Sequence, residues 1–432
     1  MLLAGTLALA ACVETPEGYA PVGTLPDSRM SQMPVQISPP PPVTPLPAAD
    51  ASPVPATPGT IGAPVALLVP LTGANAERGQ ALAQAAHLAL DTPGSPPLDV
   101  RDTASTPEGA AAAAAAALAA GDKLILGPLT AAETAAVAAP ARDTGVLVLA
   151  FTNDTAQAQP GVWPLGITPV QQIRRLVGAV QAQGKSRFTA VLPPTDFGTA
   201  MGTALTQALS AAGAPPPDLH VHDGNNANIA SLMRDISGYA ERRGPIDARI
   251  KAARATHTAA GRKEAAELAK TPIPPPPFDA LLLADTGDTL AWEASFLDYY
   301  DIDPPAVRLI GPSLWASPAA RGPAALTGAW FAGPDPGERG AFDANYKGKF
   351  GIAAPALADM AYDAAMIARA MAESGGYTAA ELCKPEGYSG VDGLIALQTD
   401  GTVRRGLAVF EIQREGPAMI DPAPSSLSAP GI

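Results

Sequence analysis

Val65-Ala66-Leu67-Leu68-Val69-Pro70-Leu71-Thr72-Gly73 opens the foldable part of this chain, and its first five residues are all apolar. A short run without polar alternation reads as a strand buried on both faces, the kind used in parallel sheets. Gly73 to Gly79 reads as a turn, and Gln80 to Leu90 carries apolar residues at helical spacing. A buried strand followed directly by a helix is the first half of a parallel strand-helix-strand unit.

The alternation continues outward. Leu98-Arg101 is a second strand, and Thr106-Pro107-Glu108 combines an N-cap threonine with proline at the first helical position. The alanines from Ala110 to Ala117 propagate that helix, and Gly121 ends it. Lys123-Leu126, Val146-Ala150, Phe188-Leu192, Leu219-His222, Ala280-Leu283 and Val307-Ile310 are further short apolar runs, with helical segments between most of them. This pattern implies parallel sheets covered by helices on both faces. Residues 61–415 exceed one comfortable core, so the expected fold is α/β with two lobes.

Composition sets the limits around this core. The chain has 432 residues, a formal net charge of -13 and only 16% charged residues. That balance argues against nucleic acid, whose phosphates demand a basic face. The 48 prolines are unevenly spread. Residues 13–60 are rich in them around Pro39-Pro40-Pro41-Pro42, with few large apolar side chains and no amphipathic period. Such a segment cannot bury enough surface to offset its ordering entropy, and it is expected to be a disordered, semi-rigid spacer. Fully extended at about 3.1 Å per residue it would reach on the order of 150 Å. Residues 416–432 are expected to be a disordered tail.

Cys12 and Cys383 are the 2 cysteines. Leu9-Ala10-Ala11-Cys12 resembles a bacterial lipobox: an aliphatic residue, two small residues and the cysteine that becomes lipidated. Residues 1–12 then form a lipoprotein signal peptide, too short to span a bilayer as a mature helix. No Lys or Arg precedes the apolar run, a hint that the true start codon lies upstream. The resemblance implies acyl chains on Cys12 and a membrane anchor on the periplasmic side. Val13 in place of Asp implies outer-membrane sorting. With Cys12 lipidated, Cys383 has no partner for a disulfide and reads as a buried free thiol.

The order of motifs resembles that of type I periplasmic binding proteins of the leucine-binding kind. Val65 to Gly73 followed by Gly79-Gln80-Ala81-Leu82 is similar to their opening. Leu124-Ile125-Leu126-Gly127-Pro128-Leu129 is similar to their third strand and its loop, and Gly145 to Phe151 to their fourth. Phe188 to Leu192 with Asp196-Phe197-Gly198 resembles the start of the second lobe. Gly393 to Leu397, Asp400-Gly401 and Arg404 to Phe410 resemble the closing hairpin. The implied fold has two lobes, each a parallel sheet flanked by helices, joined by a multi-strand hinge. Lobe I is placed at residues 61–167 and 317–388, and lobe II at 168–316 and 389–415. Within this group the lipobox, the spacer and the Gly-Pro-Leu loop are most similar to the penicillin-binding protein activators. That resemblance implies binding and activating a peptidoglycan synthase. The alternative is the substrate-binding lipoprotein of an ABC transporter for amino acids or a similar small solute.

The resemblance also implies an inter-lobe cleft that admits a small molecule, with Thr72, Gly73, Leu129, Thr130, Ala131, Phe151, Thr152, Asn153, Asp196, Phe197 and Asp285 as candidate lining. Ala131 and Ala132 stand where hydroxyls would hold a ligand carboxylate, and Glu133 and Asp154 bring negative charge towards it. Phe197 is similar in place to the aromatic that covers a ligand ammonium, where its ring face would attract the cation. The lining therefore looks poor for a free amino acid. No catalytic set is present: there is no G-x-S-x-G, no H-E-x-x-H and no cysteine pair, and Gly73 to Gly79 lacks the ending of a phosphate loop. His220 and His222 would share one face of a strand, which suits a metal, although a solvated strand end is the simpler reading. No metal or cofactor is assigned.

Residues 238–277 break the acidic theme. Arg242, Arg243, Arg249, Lys251 and Arg254 stand among few acids, and Ile246, Ile250 and Ala253 fit one helical face. Pro272 and Pro274 to Pro277 stop the helix. Two readings stay open: an arm whose basic residues dock a partner or anionic polymer, and a solvated charged helix packed on its own lobe.

Overall fold

The computed structural model describes residues 62–321, 326–337 and 339–427. The first lobe begins with β1 (Val65–Val69), α1 (Ala76–Leu90), β2 (Leu98–Asp102), α2 (Pro107–Ala120), β3 (Leu124–Leu126), α3 (Ala131–Thr144), β4 (Leu147–Ala150) and β5 (Val162–Pro164). These strands form one parallel sheet in the order β2-β1-β3-β4-β5. The apolar run of β1 is explained by its two faces. Val65, Leu67 and Val69 enter the layer that contains α1, whereas Ala66 and Leu68 enter the layer of α2 and α3. The second layer is built on Ala110, Ala114, Ala117, Ala138 and Ala141, small side chains that let the helices lie close to the sheet. Thr106 caps α2 by accepting from Gly109 N, and Gly121 closes it in the left-handed conformation at φ 91°.

The chain then crosses through Leu165, Gly166 and Ile167 into the second lobe. There it forms α4 (Pro169–Ala182), β6 (Phe188–Leu192), α5 (Asp196–Ala211), β7 (Asp218–Val221), α6 (Asn226–Ile236), α7 (Tyr239–Ala255) and α8 (Ala259–Ala269). β8 (Ala280–Leu283), α9 (Gly287–Leu297), β9 (Arg308–Gly311), α10 (Pro318–Arg321) and β10 (Trp330–Gly333) follow. One side of this sheet packs on α4 and α5 through Ile173, Leu176, Met201 and Leu205. The other side packs on α6 and α9 through Met233, Leu290 and Leu297, with Trp315 fully buried beside them.

A second crossing leads back to the first lobe with α11 (Arg339–Phe350), α12 (Ala358–Glu373), α13 (Ala379–Leu382), β11 (Tyr388–Gly390), β12 (Gly393–Leu397) and β13 (Val403–Arg405). Helix α12 packs on α1, and Tyr388, Ile395 and Leu397 join the same core. After a third crossing, β14 (Ala408–Gln413) and β15 (Gly416–Asp421) complete the second-lobe sheet, whose order is β15-β14-β10-β9-β8-β6-β7. β14 runs antiparallel to both β10 and β15.

This topology corrects three expected boundaries. Residues 317–321 and 326–333 belong to the second lobe, because β10 pairs with β9 and β14. Residues 389–397 belong to the first lobe, because β11 and β12 form their own small sheet with β13 and pack beneath α12. The closing hairpin pairs β12 with β13, and the expected second strand, Arg404 to Phe410, is divided between β13 and β14. The expected disordered tail contains β15, which pairs with β14 from Gly416 to Asp421. Cys12, the signal peptide and the Pro-rich spacer lie outside the described residues. Among the described residues no helix is long and apolar enough to cross a membrane. Cys383 is a free, half-buried cysteine, and burial pushes its thiol up.

Residues 238–277 form a helical hairpin of α7 and α8 with its own small apolar core of Ile250, Ala253, Ala265 and Leu268, against which Ile246 packs. Arg242 anchors its root. Its guanidinium donates to the carbonyls of Pro274, Ser237, Tyr300 and Asp301 at 2.7–3.2 Å. Arg243 pairs with Asp247, whereas Arg249, Lys251 and Arg254 are exposed.

Candidate functional site: the inter-lobe cleft

The loops that follow β3 and β4 open at the same end of the first-lobe sheet, as parallel strands require, and they form one wall of a cavity of about 670 Å³. Leu129, Thr130, Ala131, Phe151, Thr152 and Asn153 all line it, so six of the expected cleft residues meet there. The remaining apolar wall is Leu165 to Ile167, Pro334, Ala356, Leu357 and Met360. Five charged residues also line it: Asp154, Arg339, Asp359, Asp392 and Arg405. Every lining residue comes from the first lobe or from the crossings between lobes.

The last four charged residues form a self-neutralising network. Arg339 Nη1 donates to Asp359 Oδ2 and, at 3.3 Å, to Asp392 Oδ1. Its Nε lies 3.8 Å from Asp343. Burial pushes the Asp359 carboxyl up to about 6; the negative charge of Asp392 adds to the rise and Arg339 opposes it. Arg405, 6% exposed, donates through Nε and Nη2 to the carbonyl of Leu165 at 3.1 and 2.7 Å. Its buried Nη1 has no hydrogen-bond partner among the described residues. Behind it, burial raises Asp363 to about 7, although Val391 N donates to its Oδ1 at 2.7 Å.

The other expected residues lie elsewhere. Thr72 belongs to a separate polar corner: its Oγ1 and backbone N–H both donate to Asp102, and its carbonyl accepts from Ser105 Oγ. Gly73 closes that corner at φ 82°, where an added Cβ would meet Ala104 O and Ser105 Oγ at 2.8 Å. Asp196 is exposed in the first turn of α5, and Phe197 packs against the second-lobe core. Asp285 is buried beside His222. Glu133 does not face a ligand: it is 1% exposed, completes a capping box with Thr130 and accepts from Thr103 Oγ1 at 2.6 Å. Asp154 does line the cleft, where its carboxylate accepts from Ala156 N at the start of a short turn and from Gln157 Nε2.

The histidine pair is also split. His220 pairs with Asp218 at the half-exposed edge strand, whereas His222 lies just past β7 and is buried. His222, Asp285 and Glu293 are close enough together to hold a metal ion. The hydrogen bonds of His222 oppose that use. Its Nδ1 accepts from Gly224 N at 2.9 Å, so the proton of the neutral ring sits on Nε2 and points to Asp285 Oδ2 at 2.8 Å. A ligating histidine instead donates from one ring nitrogen and gives the other lone pair to the metal. Burial, and then the Asp285 charge, raise Glu293 well above the usual carboxylate range. The cluster is a buried His222–Asp285 pair with a buried carboxyl beside it.

Comparison with known structures places this geometry. A protein from Rhodospirillum rubrum assigned to a branched-chain amino acid ABC transporter is similar over 83% of this chain and 100% of its own, at TM-score 0.64 and 18% identity. The C-domain of LpoA from Haemophilus influenzae, a regulator of PBP1A, is similar over 83% of this chain and 99% of its own, at TM-score 0.57 and 18% identity. For full-length LpoA of the same organism the TM-score is 0.59, and the match spans 59% of that protein. Among curated proteins no sequence match is found. The periplasmic binding protein family model matches residues 63–417. With the two-lobed type I architecture described above, that match over most of the chain means that this protein belongs to the periplasmic binding protein family.

Proposed function

We propose that this chain is a lipid-anchored envelope protein that regulates peptidoglycan synthesis by binding and activating a penicillin-binding protein synthase. The observation that carries the reading is the one-sided, self-paired cleft. A solute-binding protein closes two lobes on one ligand, so both lobes must present groups to it. Here the cavity draws only on the first lobe and the crossings, and its strongest cation, Arg339, is already held by Asp359 and Asp392. A free amino acid would have to break that network to gain a carboxylate partner, at a cost comparable with what it gains. The likeness to the LpoA C-domain supports the same reading at the level of fold.

The α7–α8 hairpin is the surface on which we place docking. Arg249, Lys251 and Arg254 are exposed on it, while Arg242 serves its root. Cys12 supplies the anchor and residues 13–60 the reach, on the periplasmic side of the outer membrane. The test combines a pull-down with a bifunctional peptidoglycan synthase and a measurement of its glycan-polymerising and crosslinking rates. Stimulation by the full chain supports regulation; no binding and no rate change removes it.

One observation favours the second reading, a substrate-binding lipoprotein for amino acids or a similar small solute. Arg405 Nη1 is buried at the cleft with its hydrogen-bonding capacity unused, and a carboxylate would satisfy it. Calorimetry against branched and polar amino acids separates the two readings, since micromolar binding there would make transport the function.

A further inference from the structure

From Thr271 to Val307 the chain holds no Lys, Arg or His. Helix α9, within that stretch, buries Leu290, Ala294 and Leu297 against the second-lobe core. Its opposite side is exposed. Asp288, Trp292, Ser295 and, in the short turn after the helix, Tyr299 recur there at spacings of four, three and four. That periodicity is one face of a helix. Trp292 is 38% and Tyr299 66% exposed. Asp298, next to Tyr299, is exposed too. Neither Asp288 nor Asp298 forms an ion pair among the described residues. The root of the α7–α8 hairpin lies against the same turn: Tyr239 stacks on Tyr299 with ring centroids 6.3 Å apart, and Arg242 donates to the carbonyls of Tyr300 and Asp301.

The far end of the hairpin has the opposite character. Residues 248–263 carry Arg249, Lys251, Arg254, Arg262 and Lys263 and no Asp or Glu. All five cations are exposed, and none forms an ion pair among the described residues. Arg249 and Arg254 lie ten and fifteen residues beyond Tyr239 on α7. At 1.5 Å per residue that is about 15–22 Å along the helix. The distance exceeds the screening length of about 8 Å at physiological salt, so the basic tip does little to neutralise the acids at its own root. Each molecule therefore presents a rod with an acidic, aromatic root and a basic tip. One copy can satisfy another where it cannot satisfy itself.

We propose that two copies of this chain pair antiparallel along their α7–α8 hairpins, the basic tip of each lying on the exposed α9 face of the other. The arrangement is an isologous two-fold interface: the same contact occurs twice, and no third copy can join it. Arginine suits both features of the facing surface. A guanidinium pairs with the carboxylates of Asp288 and Asp298 and stacks on the rings of Trp292 and Tyr299. The net charge of -13 on each chain opposes association, and the antiparallel placement offsets it locally by setting each positive tip on a negative root. Exposed ion pairs are individually weak, so the dimer is expected in the micromolar range. The interface does not depend on the proposed regulatory role. Under that role, self-pairing covers Arg249, Lys251 and Arg254 and competes with synthase docking.

Sedimentation equilibrium over a concentration series tests it, on the full chain carrying Cys12→Ala so that no acyl chain can draw copies together. This parent should show a reversible monomer–dimer equilibrium without larger species. Two charge-reversed variants follow: Arg249→Glu with Lys251→Glu and Arg254→Glu, and Asp288→Lys with Asp298→Lys. Both should keep the circular dichroism of the parent. Each alone should weaken the dimer about tenfold or more, because like charges then face each other. Mixed in equal amounts they should recover a dimer, since the reversed tip meets the reversed root and the native tip the native root. Trp292→Ala should weaken the parent dimer about threefold or more. A parent that stays monomeric across the series overturns the proposal. So does a dimer that both reversals leave unchanged, or a mixture that associates no better than either variant alone.

Discussion

Glu133 shows how much a single buried carboxylate can hold. It accepts from Thr103 Oγ1, Thr130 N and Thr130 Oγ1, tying the loop after β2 to the start of α3. Glu133→Ala removes the acceptor for three donors in a site closed to water. The expected loss is about 2–4 kcal/mol of stability, read as a lower urea midpoint at unchanged slope. Its role was legible in advance: Thr130-x-x-Glu133 is a capping-box spacing, and that local signal outweighs a place in a cleft inferred from resemblance. Asp359, Asp363 and Glu293 make a second residue-scale prediction. Each holds its proton more tightly in the folded chain than in the unfolded one, with values of about 6 and 7 for the first two. The stabilising share of Asp359 and Asp363 is full below about pH 4 and is lost as pH rises through 6 to 7. The thermal midpoint should fall between about pH 5 and pH 8. Asp363→Asn, which keeps an acceptor for Val391 N, should flatten part of that fall. An unchanged pH profile in this variant would show that Asp363 ionises normally.

At the scale of elements, the α7–α8 hairpin separates two roles that its basic sequence runs together. Arg242 spends its donors on four carbonyls at the root, so Arg242→Ala should lower stability by about 2–3 kcal/mol and weaken partner binding only through that loss. Arg249, Lys251 and Arg254 point outward, and their joint replacement by Glu should leave the thermal midpoint within about a degree or two and abolish synthase stimulation. Replacing residues 244–271 by a short Gly/Ser linker gives the same test in stronger form. The hairpin helices, the caps at Thr106 and Gly121 and the strand β1 were readable because each rests on neighbours in sequence. β5, β10 and β15 were missed. Val162–Pro164 is only a short run ending in proline, Trp330–Gly333 is similarly brief, and Gly416–Asp421 has proline at its second position and becomes a strand only because β14 offers an edge.

Across the whole molecule, the charged network of the cleft was beyond local reading. Arg339, Asp359, Asp392 and Arg405 come from the start of α11, α12, the turn between β11 and β12, and β13, and only the return of the chain to the first lobe brings them together. The six residues found in the cleft were readable because they follow β3 and β4, whose place in the sheet the alternation of strand and helix already implies. Anchoring belongs to this scale as well. Metabolic labelling with palmitate should mark the full chain and leave Cys12→Ala unlabelled, and equal labelling of both would remove the lipid anchor from the proposal.

The polypeptide passes between the lobes three times, after β5, after β10 and after β13. Three parallel tethers behave as a strap rather than a string: they permit bending across their width and resist rotation about the long axis. They are also redundant. A protease that cuts one crossing leaves two covalent links in place, and both sheets keep every strand. The pairing of β14 with β10 then holds the third crossing in register beside the second. A nicked molecule should therefore run as two fragments under denaturing conditions and as one particle under native ones.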